Sequence, residues 1–259
     1  GEMDEAPMLY IGEKLGTLKG PKLDIAVDPL EGTKFTANNQ PNAFSVLAVS
    51  NKGDLLSAPD TYMEKIAIGS NLPKNLIDID FGVRKNIELL AKAKNKKTSE
   101  ITACVLKRPR HDHIVKELIK MEVKINFISD GDIAGVLSVI GENAKNDIYY
   151  STGGGPEGVL AASALSCYGG QIQGRLVLDD NEKIRAEKLG IKDFTKKYNI
   201  DDMIKGDVIF CASGVTSGDL AKGVKETDTN YEVSTFALHK SQKVNKTITN
   251  IYTKWNRSR

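Results

Sequence analysis

Residues 101–140 read ITACVLKRPRHDHIVKELIKMEVKINFISDGDIAGVLSVI, and this stretch decides the fold class. The short apolar run at 101–106 predicts a strand, and the segment at 112–121 predicts a helix. The pair then repeats, with a strand at 124–128 and a helix at 133–140. Strands this short and apolar are typical of a sheet covered on both faces. The alternation therefore predicts an α/β protein in which helices are layered on mixed sheets.

The alternation continues downstream and then gives way to strands alone. The next segments predict strands at 147–151, 175–178 and 208–212 and a helix at 156–168. After residue 223 two β segments follow, at 231–238 and 247–252, separated by polar residues. This pattern predicts a closing hairpin or an edge pair of strands.

The region up to about residue 95 has a different pattern. Apolar strands at 23–27 and 44–49 are separated by turn-forming Asn, Gly and Pro, which predicts a mixed region with antiparallel sheet. No Pro/Ser-rich linker divides the chain. We therefore expect two intimately packed lobes: an N-terminal lobe at 1–95 with an acidic turn, and an α/β lobe at 96–259 that carries most of the candidate binding loops.

The composition argues against two classes of function. Hydrophobic residues make up 40% of the 259 residues and charged residues 27%, and no apolar run is long enough to cross a bilayer. The formal charge of +2 comes from basic and acidic residues spread along the chain. We therefore expect neither a membrane role nor a nucleic-acid-binding surface. Three cysteines in apolar segments, without CxxC spacing, indicate core residues in a reducing compartment, and we expect a cytoplasmic protein.

Residues 24–33, DIAVDPLEGT, predict a strand that ends in an acidic turn. Hard divalent cations prefer carboxylate and carbonyl oxygens, and Asp28, the Leu30 carbonyl and Glu31 can present three of them on one side of the turn. Gly32 lets the backbone come close to a bound group, and Thr33 places a hydroxyl beside it. The alternative is an ordinary Asp-Pro turn with solvated acids.

A basic turn follows the strand at 101–106. Arg108 and Arg110 flank Pro109, and their planar guanidinium groups can hold phosphate oxygens with paired hydrogen bonds. The alternative is a solvated basic turn. His111 and His113 do not share a helix face, which makes them a poor metal pair, although His111 is a candidate contact for phosphate.

Two more turns and one tyrosine are candidates for binding the rest of a sugar phosphate. Asp130-Gly131-Asp132 follows a strand, and its carboxylates suit sugar hydroxyls, although the same sequence makes ordinary turns and helix caps. Gly153-Gly154-Gly155 joins a strand to a helix and allows close approach of a ligand, with Glu157 placed to complete a metal site or merely to cap the helix. Tyr62, expected on a loop after Pro59, either contacts the sugar or is a half-buried structural residue.

The string DPLEGT resembles the DPx(D/E)GT signature of the metal-dependent, lithium-sensitive phosphatase superfamily. Glu as the second acid is typical of its class II fructose-1,6-bisphosphatases. Five further segments resemble that branch in order: GEMDEAPMLY (1–10), APDTYMEK (58–65), KRPRHD (107–112), SDGD (129–132) and GGPEGVLAA (154–162).

The resemblance implies a sugar phosphatase fold and hydrolysis of the 1-phosphate of fructose 1,6-bisphosphate, a gluconeogenic step that uses Mg²⁺ or Mn²⁺. It implies metal binding by Asp28, Glu31 and Glu157, and catalysis by Thr33, whose oxygen Asp4 makes more basic. The implied substrate contacts are Glu31, Gly32, Thr33, Tyr62, Arg108, Pro109, Arg110, Asp130, Gly131, Asp132 and Gly154. It also implies a homo-oligomer, and further metal-binding acids upstream of Gly1, where we expect residues to be missing.

Three alternatives stay open from sequence. One is a bifunctional enzyme that also acts on sedoheptulose bisphosphate, and another is a phosphatase of other sugar or inositol phosphates. The most distant is a non-catalytic protein that binds metal or anions with the same fold.

Overall fold

The computed structural model describes residues 9–141 and 144–254. The strands in this part of the chain are β1 (Leu23–Glu31), β2 (Phe44–Asn51), β3 (Tyr62–Ile68), β4 (Thr102–Leu106), β5 (Lys124–Ile128), β6 (Ile148–Gly154), β7 (Gln171–Val177), β8 (Lys197–Tyr198), β9 (Val208–Gly214), β10 (Lys225–Glu226), β11 (Asn230–His239) and β12 (Val244–Thr253). The α-helices are α1 (Thr33–Ala37), α2 (Gly82–Ala93), α3 (Asp112–Lys120), α4 (Asp132–Leu137), α5 (Gly155–Tyr168), α6 (Asp180–Lys188) and α7 (Ile200–Met203). Short 3-10 helices lie at Ile79–Phe81, Thr98–Glu100 and Pro109–His111.

The strands form two six-stranded sheets. Sheet 1 has the order β1-β2-β9-β11-β10, with β12 also paired to β11, and all of its pairs are antiparallel. Sheet 2 has the order β5-β4-β6-β3-β7-β8. Its β5-β4-β6 part is parallel and the rest is antiparallel, so it is a mixed sheet.

The helices complete a layered arrangement. Helices α4 and α5 lie in the main hydrophobic core between the two sheets, with side chains such as Phe44 and Phe210 from sheet 1 and Met63 from sheet 2. Because α5 is apolar on nearly all sides, it can be buried between two layers. Helices α2 and α3 cover the other face of sheet 2 in a second core. None of the described helices is long and apolar enough to span a membrane.

The predicted α/β class with mixed sheets is confirmed, and the closing pair of strands is β11 with β12. One local prediction was wrong. Tyr62 is the first residue of β3, not part of a loop, because that segment pairs on both sides with β6 and β7. Both sheets also contain strands from each side of residue 95, so a division of the chain at that residue follows neither sheet.

Candidate active site

Most of the predicted site residues lie together at one edge of sheet 2, the edge formed by the carboxyl ends of its parallel strands. The parallel strands β4, β5 and β6 end at this edge, where ligands commonly bind in α/β sheets. The basic turn follows β4, the Asp130–Asp132 turn follows β5, and the glycine-rich turn ends β6. Tyr62 reaches the same edge because β3 runs antiparallel to β6 and pairs Tyr62 with Gly154.

The acidic turn comes to this edge from sheet 1. The β1–β2 register shifts between Asp28 and Glu31, so the strand has an irregularity at the predicted turn. Asp28 Oδ1 accepts a hydrogen bond of 3.0 Å from the Leu30 N–H. Glu31 is buried, and its Oε1 accepts a hydrogen bond of 2.6 Å from the Ile133 N–H near the start of α4. That bond joins the acidic turn of one sheet to the Asp130–Asp132 turn of the other.

Two glycines at this junction have a backbone that favours glycine. Gly32 and Gly131 have φ values of 79° and 80°, in the left-handed region that L side chains rarely adopt. A Cβ at either position would also meet the Phe35 ring, at 2.7 Å from Gly32 and 2.5 Å from Gly131. The lack of a side chain at Gly32 and Gly131 therefore leaves space for the Phe35 ring between the two turns, in addition to any contact with a ligand.

Of the two predicted catalytic residues, Thr33 and Asp4, only Thr33 lies within the described part of the chain. Thr33 begins α1 and is exposed, so its hydroxyl is accessible at the end of the acidic turn. The N–H of the next residue, Lys34, donates a 3.0 Å hydrogen bond to Asp130 Oδ2, which ties α1 to the opposite turn. Asp4 lies outside the described residues.

Asp132 occupies a position that differs from the prediction. It was expected to bind sugar hydroxyls, but it is buried and its carboxylate is held by three protein donors. Lys65 Nζ and Tyr149 Oη form short contacts with it, and Ser151 Oγ donates a hydrogen bond of 2.6 Å. The carboxylate therefore forms a buried ion pair, and the substrate role expected for Asp132 does not fit this geometry.

The glycine-rich turn makes room for carboxylates. Gly154 has extended backbone angles that any residue could adopt, yet a Cβ there would lie 2.5 Å from Cδ of Glu157. A Cβ on Gly153 would overlap the Asp132 carboxylate. Glu157 Oε2 is itself buried and has no hydrogen-bond partner among the described residues. Buried carboxylates without partners are rare, and such a group has a strong affinity for a cation.

Burial and mutual repulsion raise the pKa of two site carboxyl groups. Burial has the largest effect on the pKa of Glu31, and the nearby Asp132 and Asp28 carboxylates raise it further. Burial likewise raises the pKa of Glu157, while the charge of Lys65 opposes that increase. Lys65 pairs with Asp132 and also acts on Glu157, but no cation of the described residues offsets the repulsion at Glu31, and a divalent cation would stabilise the charged forms of Glu31 and Glu157.

These residues fit a hard divalent metal ion, but they do not form a complete ligand set. All the donors are oxygens, as Mg²⁺ and Mn²⁺ prefer. Within residues 9–141 and 144–254, however, no three Asp, Glu, His or Cys side chains lie close enough together to hold one ion. The acidic cluster Glu2, Asp4 and Glu5 falls outside the described residues.

The arginines and Tyr62 form the other side of the site. Arg110 donates from Nε at 2.9 Å and from Nη2 at 2.5 Å to the Thr152 carbonyl, and its guanidinium lies 4.7 Å from the centre of the Tyr62 ring. Arg108 Nη1 donates a hydrogen bond of 2.8 Å to the Ser129 carbonyl, and Arg108 Nη2 lies 3.6 Å from Asp130 Oδ1. Tyr62 is about half exposed, at 51%, so one ring face is available to a ligand. Pro109 begins the short helix Pro109–His111, which Arg108 precedes and which contains Arg110.

His111 is a structural residue here. It is buried, its Nδ1 lies 2.5 Å from the Leu106 carbonyl, and its Nε2 accepts a 2.7 Å hydrogen bond from the Thr152 N–H. An acceptor Nε2 requires a neutral ring with the proton on Nδ1. Burial is the main cause that lowers the pKa of this ring. The candidate contact between His111 and phosphate was therefore wrong for this geometry.

Sequence reasoning missed the partners of Asp132. Lys65 is 1% exposed and Tyr149 is fully buried. The strand YMEKIAI contains one signal, because Lys65 shares a face of β3 with the apolar residues Met63 and Ala67. A lysine on a buried face requires a carboxylate partner, although the sequence does not say which one.

Comparisons with known proteins agree with the resemblance found in the sequence. Residues 1–252 match the family model for bacterial, glpX-encoded fructose-1,6-bisphosphatase. The fructose-1,6-bisphosphatase class 2 of Haemophilus influenzae is 41% identical over 239 residues, which cover 86% of this chain and 71% of that protein. Fructose-1,6-bisphosphatase 1 class 2 of Escherichia coli K12 is 42% identical over 239 residues, with 86% and 70% covered. The chain therefore belongs to the family of bacterial, glpX-encoded fructose-1,6-bisphosphatases.

Proposed function

We propose that this chain hydrolyses the 1-phosphate of fructose 1,6-bisphosphate to give fructose 6-phosphate and phosphate, a gluconeogenic step, with Mg²⁺ or Mn²⁺ bound. The observation that carries the proposal is the buried Glu157 Oε2, which has no hydrogen-bond partner in the described part of the chain, beside the acidic turn of Asp28 and Glu31. Two arginines and an exposed tyrosine lie at the same sheet edge. Family membership supports the choice of substrate.

Asp28, Glu31 and Glu157 are the residues that would hold the metal ions. Bound metal supplies charge neutralisation on the phosphoryl group and on the leaving oxygen, and it makes water a stronger nucleophile at neutral pH. The protein positions these acids with the Ile133 N–H, which fixes Glu31, and with Gly154, which leaves space for Glu157. Acids outside the described residues, including Asp4, are candidates to complete the ligand set or to support Thr33.

Thr33 orients the attacking water in this proposal. Its hydroxyl is exposed at the end of the acidic turn and is free to accept a hydrogen bond from a water molecule beside the 1-phosphate. Alignment of this water is a transition-state role, because the bond to phosphorus forms only then.

The arginines would hold the second phosphate, and Tyr62 would contact the sugar. Arg110 can exchange its bonds to the Thr152 carbonyl for bonds to phosphate oxygens, which are stronger because both partners are charged. Asp130, at the carboxyl end of β5, is the acid of this turn that is placed for sugar hydroxyls, since Asp132 is buried.

The rival substrates are sedoheptulose bisphosphate and inositol phosphates. The arginine pair favours a bisphosphate over an inositol monophosphate, because a single phosphate at the metal site would leave both guanidinium groups without a phosphate to bind. The non-catalytic alternative is opposed by the retained acids and Thr33. The homo-oligomer and the cytoplasmic location stay predictions.

The test is phosphate release from fructose 1,6-bisphosphate with Mg²⁺, with Mn²⁺ and with neither, using sedoheptulose bisphosphate and inositol monophosphate as comparison substrates. Asp28→Ala is expected to abolish metal-dependent release. At position 31 the matched change is Glu31→Gln, since Gln keeps an acceptor for the buried Ile133 N–H, whose loss would cost about 1–3 kcal/mol. Asp180→Ala is the control, because that side chain is 97% exposed and its ion pair is with Lys183 on its own helix. Metal-independent release, or full activity of Asp28→Ala, would contradict the proposal.

A further inference from the structure

A buried lysine lies between the Asp130–Asp132 turn and the glycine-rich turn of the site. Lys65 is 1% exposed, and its side chain extends from β3 toward the space between the sheets. Its Nζ forms the ion pair with Asp132 and donates a hydrogen bond of 2.7 Å to the Gly154 carbonyl. A buried charge normally requires such partners, since burying it alone is very costly.

Each partner of Lys65 belongs to a segment that either fixes or carries a proposed metal ligand. Asp132 is the first residue of α4, and the next residue, Ile133, holds Glu31 through its N–H. Gly154 ends β6 and immediately precedes α5, the helix that carries Glu157. Lys65 therefore joins the segment that fixes Glu31 to the segment that carries Glu157.

Two further buried donors hold the Asp132 carboxylate in place. Tyr149 Oη and Ser151 Oγ donate hydrogen bonds to Asp132 Oδ1, while Lys65 Nζ donates to Oδ2. Both donors are on β6, the strand that ends at Gly154. All four side chains are buried, so solvent does not compete for their bonds.

We propose that Lys65 is a positioning residue, which sets the spacing of Glu31 and Glu157 through Asp132 and the Gly154 carbonyl. It touches neither substrate nor metal, and it acts through the residues it holds. The inference rests on the proposed metal site, but not on the identity of the sugar. Residues that orient metal ligands from behind typically change metal affinity or activity 10–100-fold when mutated.

The test is a double-mutant cycle of Lys65→Met, Asp132→Asn and the combination. Each variant is assayed for Mn²⁺ binding without substrate, by the electron paramagnetic resonance signal of free Mn²⁺, and for kcat, KM and Tm. Lys65→Met leaves the Asp132 charge buried without its partner and is expected to lower Tm. The double variant removes both charges with little change in size, so it is expected to recover stability.

The expected result is that all three variants lose Mn²⁺ affinity and kcat by about 10–100-fold, with little change in KM for fructose 1,6-bisphosphate. The losses should not add, because both residues act through one link. The matched control is Lys197→Met, which removes a lysine paired with Asp78 and Asp80 elsewhere on sheet 2 and should leave Mn²⁺ binding unchanged.

Wild-type Mn²⁺ affinity and kcat in the folded Lys65→Met variant would overturn the inference, as would additive losses across the cycle. If Lys65→Met does not fold, the double variant takes its place. Wild-type Mn²⁺ affinity and kcat in the folded double variant would then overturn the inference. A wild-type protein that binds Mn²⁺ but does not hydrolyse fructose 1,6-bisphosphate would defeat the proposed function alone, since the Mn²⁺ measurements would still test Lys65.

Discussion

Replacing Gly154 with alanine should separate the metal site from the stability of the fold. The backbone at Gly154 has φ −61° and ψ 144°, so alanine can adopt it without strain. The new Cβ would lie 2.5 Å from Cδ of Glu157 and 2.9 Å from its Oε1. Carbon atoms in contact normally lie about 3.5–4.0 Å apart, so the Glu157 carboxyl group must move by about 1 Å or more.

A movement of that size matters more for metal binding than for folding. Glu157 is a flexible side chain and can change rotamer, so we expect the free energy of unfolding of Gly154→Ala to fall by less than about 1.5 kcal/mol. Metal–ligand distances tolerate only about 0.2 Å. We therefore expect Mn²⁺ affinity and kcat to fall about 10–100-fold, equivalent to about 1.4–2.7 kcal/mol.

The assay combines Mn²⁺ titration, turnover and thermal unfolding on one preparation, with Glu157→Gln as the matched variant. If alanine acts through Glu157, adding Gly154→Ala to Glu157→Gln should cause little further loss of Mn²⁺ affinity. Wild-type Mn²⁺ affinity and kcat in Gly154→Ala would show that the space at this position does not control Glu157. So would a full additional loss in the double variant, because the effect would then bypass Glu157.

Three other predictions test different parts of the molecule. Thr33→Val should lower kcat strongly while leaving Mn²⁺ affinity, KM and Tm close to wild type, because it removes only a hydroxyl; retained turnover would exclude Thr33 from water alignment. Arg108→Ala should raise KM for the bisphosphate more than it lowers kcat, since binding of the distant phosphate is largely uniform, and an unchanged KM would remove Arg108 from the substrate site. Burial alone would raise the pKa of Asp207, but hydrogen bonds from Ser241 and His239 outweigh it and lower that pKa from 3.8 to about 2. The unfolded chain therefore binds this proton first as the pH falls, so the contribution of Asp207 is present above the unfolded pKa of 3.8 and disappears as the pH drops through about 2. Because the side chain is 39% exposed, Asp207→Asn should lower the free energy of unfolding, measured with urea, by at most about 1 kcal/mol at neutral pH. The loss should be smaller at about pH 3, and a loss that grows as the pH falls would contradict this assignment.

Local pattern was enough to place most of the strands and helices near the site. The predicted strand at 124–128 coincides with β5, and the helix predicted at 156–168 differs from α5 by one residue at its start. Apolar periodicity and flanking glycine or proline are local signals, and these segments follow them. The segment after Pro59 was misassigned because a mixed polar and apolar run, YMEKIAI, becomes a central strand only when β6 and β7 pair with it.

The candidate site divides in the same way. The residue types at each turn can be read from the chain alone, and the order of its motifs is enough to identify the family that the comparisons confirm. Packing between the sheets turns Asp132 and His111 inward, sets Gly153 and Gly154 against carboxylates, and makes Lys65 the link between the Asp130–Asp132 turn and the glycine-rich turn. Lys65 and Asp132 are 67 positions apart, and the Glu31 carboxylate and Ile133 N–H are 102 apart. Contacts between such distant positions depend on strand pairing and on packing between two sheets, which no local pattern in the sequence encodes.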